Sequence, residues 1–152
     1  MIHKKKKNVP VIERYEIEVE DWEADYFFGL APQKVIEGVY WEGSGLIITG
    51  KLISPVLDMV SKIKVDIRID PQVDDYWKAE PTIQSAKAIG GMQILRDNTL
   101  LFDCSVPSCS LPYLAQAVHA KKIKYISIIG TKLRYKQGTI RHIRLSSQKE
   151  DE

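Results

Sequence analysis

The chain has 152 residues, 44% of them hydrophobic and 28% charged, with nine Gly, seven Pro, two Cys and a formal net charge of +2. That is the length of one domain able to bury its own core without a metal or disulfide, and the composition excludes collagen-like, low-complexity and disulfide-stapled chains. No stretch has the ~18 consecutive apolar residues of a membrane helix, and the basic start at Lys4, Lys5, Lys6 and Lys7 meets Glu13, Arg14, Glu16 and Glu18 where a secretory signal needs an apolar run.

A cytoplasmic location with reduced thiols and no membrane association is therefore expected. Residues 1–8 read as a basic polar tail. Tyr15, Ile17 and Val19 then alternate with Glu16, Glu18 and Glu20, the pattern of a strand with one wet face. Spans 34–41 and 46–53 are expected to form a hairpin around Glu42, Gly43, Ser44 and Gly45, where the glycines can supply positive φ. Residues 54–61 break the alternation and fit one helical turn or a crossover between sheets. Ile63, Val65, Ile67 and Ile69 alternate with Lys64, Asp66 and Arg68, so Val65 should face a core and Asp66 the solvent. A further strand is expected at 82–89, and a hairpin at 91–95 and 99–104, joined by Arg96, Asp97 and Asn98.

The span 110–120 reads as a helix. Ser110 suits the N-cap, Pro112 the first turn, and Leu111, Leu114, Ala115 and Val118 share a face. Three last strands, 125–129, 132–136 and 139–145, are separated by Gly130-Thr131 and by Gln137-Gly138, with the second glycine expected left-handed. About nine or ten short strands with one helix near 111–120 predict a single all-β domain over 9–146. The expected form is an antiparallel β-sandwich, jelly-roll-like, or a partly closed barrel. Residues 147–152 read as an acidic tail, and the absence of a repeat argues against a propeller or solenoid.

The small net charge hides a segregation. Residues 12–103 carry 17 acidic and 9 basic side chains, whereas 104–149 carry nine Lys or Arg and no acid. Lys132, Arg134 and Lys136 are expected on one strand face, joined by Lys124, His142 and Arg144. Such a face would bind phosphate without regard to sequence, and single-stranded nucleic acid is one candidate partner. Base stacking needs exposed aromatics, for which Tyr125 and Tyr135 are the candidates. The preferred reading is complementarity with the acidic first strand, from Glu13 to Asp25, within one chain or between copies.

Residues suited to chemistry are few. Cys104 and Cys109 lack the spacing and the second ligand pair of a zinc site, and Cys104 reads as a buried thiol. Of the histidines, His3 falls in the tail and His142 on the last strand, while His119 falls where a helix C-terminus favours a cation. No nucleophile elbow is present, and neither a cofactor nor a metal is expected. Asp70, Asp74, Asp75, Tyr76 and Trp77 form a candidate ligand loop, since clustered carboxylates suit hard cations and aromatic faces suit sugars. Trp22, Tyr26, Phe27, Phe28, Tyr40 and Trp41 are assigned to core or sheet edge, with a partner surface the leading idea if several are exposed together. These features predict a non-enzymatic binding or assembly domain that self-associates or takes a protein partner. The alternatives are single-stranded nucleic-acid binding through the basic strands, and a hydrolase or sugar-binding protein using the Asp70 to Trp77 loop.

Overall fold

Alternating aliphatics make the strands, and the strands close on one another. A computed structural model of the protein describes residues 10–30, 40–69, 73–74 and 88–149. Seven strands follow in chain order: β1 (Ile12–Leu30), β2 (Tyr40–Ser54), β3 (Lys62–Ile69), β4 (Gly90–Ile94), β5 (Thr99–Val106), β6 (Tyr125–Thr131) and β7 (Gln137–Ser146). A helix, α1 (Leu111–His119), lies between β5 and β6 and is entered through a 3-10 turn at Ser108–Ser110. The strands pair in the order β1-β2-β3-β5-β4-β7-β6, and β6 pairs back onto β1, which makes a closed ring. The fold is all-β, as the alternation implies. Among the described residues no helix is long and apolar enough to cross a membrane.

The inward row of each strand supplies the core. Tyr15 and Ile17 of β1, Leu46 and Ile48 of β2, Ile63, Val65 and Ile67 of β3, Leu100, Phe102 and Cys104 of β5, and Ile126 and Ile128 of β6 are all buried. Tyr15 meets Phe102 edge-on at 5.5 Å between ring centroids, and its hydroxyl donates to the Thr131 carbonyl at 3.2 Å. Burial, reinforced by the nearby Glu13, pushes the Tyr15 pKa up to about 12. Leu111 and Val118 of α1 complete the core where β5 ends and β6 begins, so the helix covers that end of the ring. The helix stops at Lys121 (φ 57°), with the Lys122 N–H donating to the Ala117 carbonyl at 3.0 Å, a Schellman-type end.

Five local expectations are corrected. Gly43, Ser44 and Gly45 do not turn; they lie inside β2, opposite Phe27, Tyr26 and Asp25. Arg68 lies across Gly45, where an added Cβ would sit 3.1 Å from the guanidinium and push it aside slightly. Gly130 likewise lies within β6, where Met92 and the Thr139 carbonyl fill the space a side chain would need. The span 132–136 is not a strand but the connection between β6 and β7. Arg134 and Gln137 exchange backbone hydrogen bonds of 2.8 and 3.1 Å around Tyr135 and Lys136, at φ 52° and 63°. Those two residues hold the left-handed conformation expected of Gly138, which is part of β7. Ser110 precedes α1, yet its side chain makes no capping hydrogen bond, because the 3-10 turn already leads the backbone into the helix.

Two expectations concern the wider layout. Pairing is not antiparallel throughout: β3 and β5 run parallel, from Lys62 opposite Thr99 to Ile69 opposite Val106. Residues 54–61 link adjacent antiparallel strands rather than crossing between sheets, with one turn closed by the Val60 N–H on the Leu57 carbonyl at 3.0 Å. Most of the strands expected at 34–41 and 82–89 lies outside the described residues.

The β6–β7 turn carries a testable cost. Two successive left-handed residues define the type I′ hairpin, which favours Asn-Gly, and a non-glycine residue there loses ~1 kcal/mol or more. Tyr135→Asn combined with Lys136→Gly is expected to stabilise the protein by about 1 kcal/mol in urea denaturation. An unchanged or lower midpoint would refute the turn assignment.

Candidate functional site

The six expected basic residues do not form one face. Lys132, Arg134 and Lys136 are exposed at the tip of the β6–β7 hairpin, where Lys132 N–H donates to the Val11 carbonyl at 2.7 Å. The tip also presents Tyr135, 86% exposed, with the Arg134 guanidinium 5.3 Å from its ring centroid. Lys124 precedes the other end of β6, so at ~3.3 Å per residue it stands roughly 26 Å from Lys132. His142 and Arg144 are exposed on β7, opposite Ile129 and Ser127 of β6. Ser127 in turn pairs with Glu16 of β1 and donates its hydroxyl to Glu16 Oε1 at 2.9 Å. The first part of the acidic strand thus does lie beside the basic C-terminal strands, and Glu16 is buried there.

The second part does not. β1 leaves β6 after Glu18, whose neighbour Val19 makes a last backbone bond to Lys124. From there β1 continues with β2 as an arm, in which β2 is still paired with β3 from Gly45 to Gly50 and β1 carries exposed Glu20, Asp21, Glu23 and Asp25. At its far part, 26–30 and 40–44, each strand pairs only with the other among the described strands. Trp22 still packs against the core, but Tyr26 and Phe28, which continue its row, are 65% and 64% exposed. Of the two places expected for these aromatics, core or sheet edge, Tyr26 and Phe28 are not in the core, because the ring ends before they do. Asp25 is tied down by Arg68, whose Nη1 lies 3.4 Å from its carboxylate after passing over Gly45. The hairpin tip sits beside Ile12, so Asp21 is ~30 Å from it along β1 and Asp25 farther. At a Debye length of about 8 Å in physiological salt, nearly four such lengths separate these two charge groups.

Carboxylates also meet on the outer face of β3 and β5. Asp66 stands directly opposite Asp103 in the parallel register. Arg68 Nε donates to Asp66 Oδ2 at 3.2 Å and lies 3.1 Å from Oδ1. Burial, and then the Asp66 charge, raise the Asp103 pKa, and Arg68 opposes them. The pair recruits no third ligand: among the described residues no group of three or more His, Cys, Asp or Glu can hold a metal ion. Of the expected ligand loop only Asp74 is described, and its Oδ1 accepts from the Ser108 N–H at 2.9 Å, anchoring the 3-10 turn. Asp70, Asp75, Tyr76 and Trp77 lie outside the described residues. Cys104 is buried, which with the Asp103 charge pushes its pKa up to about 12, whereas Cys109 is exposed. His119 occupies the last turn of α1 and meets Trp22 edge-on at 5.8 Å.

A cleft of about 690 Å³ opens where β2 ends and β3 begins, at the same end of the ring as the hairpin tip. Loop 55–61 forms one wall with Pro55, Val56, Leu57 and Val60, and Lys51, Lys62 and Lys64 border it from the strands. The loop is held in place by Ser61, whose N–H donates to the Asn98 carbonyl at 3.0 Å and whose hydroxyl reaches the Asp97 carbonyl at 3.3 Å. Sequence reading missed this cleft. Its one visible trace was the outward row of Lys62 and Lys64, and the loop that makes it concave has no motif.

Comparison of the chain with protein-family models, with curated proteins and with solved structures finds no match. Function therefore rests on this chain's own geometry.

Proposed function

We propose that the protein is a non-enzymatic assembly domain, a closed β-barrel that joins copies of itself head to tail. The acidic arm of one copy would dock on the basic β6–β7 hairpin end of the next. The observation that carries this reading is the placement of two complementary, exposed groups at opposite ends of β1, too far apart to neutralise each other within one molecule. A two-stranded ribbon is marginal in water by itself, and Tyr26 and Phe28 give it an apolar surface that gains from being covered. The hairpin end supports the same reading. Tyr135 and Lys136 keep left-handed backbone at a cost that Asn-Gly would avoid, and such local cost is commonly retained where side chains are needed for contact.

A contact between unlike patches is heterologous, so it propagates instead of closing a two-fold dimer. Light scattering is expected to show species larger than the monomer at ~50 mM salt that dissociate at ~500 mM. Lys132→Ala, Arg134→Ala, Lys136→Ala in one chain and Tyr26→Ser, Phe28→Ser in another should each be monomeric. Mixed together, the two variants retain one intact patch each and should stop at dimers. A wild-type monomer at high concentration and low salt refutes the proposal. Tight, salt-dependent binding of a single-stranded oligonucleotide, abolished by the triple variant, would instead assign the hairpin end to nucleic acid.

A further inference from the structure

The cleft beside loop 55–61 belongs to neither end-to-end patch, and its chemistry is two-sided. On the strand side, the side chains of Lys51 and Lys64 take part in no ion pair or hydrogen bond among the described residues. Lys62 faces the Asp97 carboxylate, which also accepts from the Thr99 N–H, so part of its field is answered. On the loop side, Leu57 and Val60 pack against the core, while Val56 stands at the opening, 84% exposed. Ser61 fixes this wall to the turn between β4 and β5, so the concavity exists before any ligand arrives. Its size falls in the range of small-molecule sites, which combine an apolar lining with a few placed polar groups. A purely apolar ligand would leave the Lys51 and Lys64 ammonium groups beside it without a close ion-pair partner, and a purely ionic one would leave Val56 in water.

We propose that this cleft binds a small amphipathic anion, a carboxylate or phosphate monoester with a short hydrocarbon body. The head group meets Lys51 and Lys64, and the body lies along Val56, Leu57 and Val60. Glu20, at the cleft edge, sets a polarity: an anionic head is repelled there and drawn toward the lysines.

The test uses the full chain and four probes: octyl phosphate, octanoate, octyltrimethylammonium and inorganic phosphate, each followed by calorimetry and by amide chemical shifts. At least one of the two amphipathic anions is expected to bind saturably at one site per chain, and the tighter of the two identifies the head group. Octyltrimethylammonium and inorganic phosphate are expected to bind at least tenfold more weakly. Shifts should concentrate at Leu57, Val60 and Lys64. Lys51→Gln with Lys64→Gln, both on the outer face, should weaken the anion at least tenfold without moving the melting temperature. Lys132→Gln with Lys136→Gln at the hairpin tip should leave it unchanged. Equal binding of the cationic probe, shifts centred elsewhere, full affinity in the Lys51, Lys64 variant, or no saturable binding of either anion would overturn the proposal. Because the readouts sit on loop 55–61, they succeed or fail independently of self-association.

Discussion

Val65→Asp is expected to leave the protein unfolded at room temperature, while Asp66→Ala beside it keeps the melting temperature within a few degrees of wild type. Val65 has no solvent exposure and stands in register between Ile48 and Phe102. A carboxylate there loses its hydration and finds only hydrocarbon, which costs several kcal/mol or forces the strand apart. Against a total stability of roughly 5–15 kcal/mol, that loss consumes most of the margin. Asp66 points outward, its side chain 17% exposed, and its attraction to Arg68 is offset by the neighbouring Asp103. Removing it leaves Arg68 with Asp25 and should cost about 1 kcal/mol or less. Thermal melts by circular dichroism decide the matter, since equal transitions for the two variants would mean that the faces of β3 are reversed.

Phe102→Ala is expected to lower the unfolding free energy by about 3–5 kcal/mol with an unchanged denaturant slope. Its ring lies in one row with Val65 and Met92 and takes the edge of Tyr15. Deletion therefore removes packing from three strands at once, and Tyr15 cannot follow without breaking its bond to the Thr131 carbonyl. A loss below ~1 kcal/mol in urea titration would place Phe102 outside the centre of the core.

The facing of Val65 was legible because its cause is local. Period-two aliphatics at 63–69 and around Ile17 define buried rows whatever the neighbouring strand is, and the Leu111, Leu114, Val118 spacing does the same for α1. The misreadings share the opposite property. Gly45 and Gly130 look like turn residues, but each lies within a strand where a distant part of the chain comes close: Arg68 in one case, Met92 and the Thr139 backbone in the other. Tyr135 and Lys136, which do turn, carry no turn signal at all. The parallel pairing of β3 with β5 likewise depends on partners more than thirty residues apart. Charge segregation was visible along the chain, but its division between a hairpin tip, a strand face and an arm exists only in three dimensions. The lysines of the cleft are unremarkable in sequence, since a loop makes them converge.

The seam between β1 and β6 has a consequence for the order in which the chain acquires structure. Glu16 and Ser127 are separated by 111 positions, so β1 cannot complete its pairing until β6 has been synthesised more than a hundred residues later. Contacts of such span are slow to form, because the loop between them must be closed first. During that interval β1 is an open edge, able to pair with the same strand of another nascent chain. Its row of glutamates then serves a purpose before the fold exists: two such edges repel until β6 arrives to take the place.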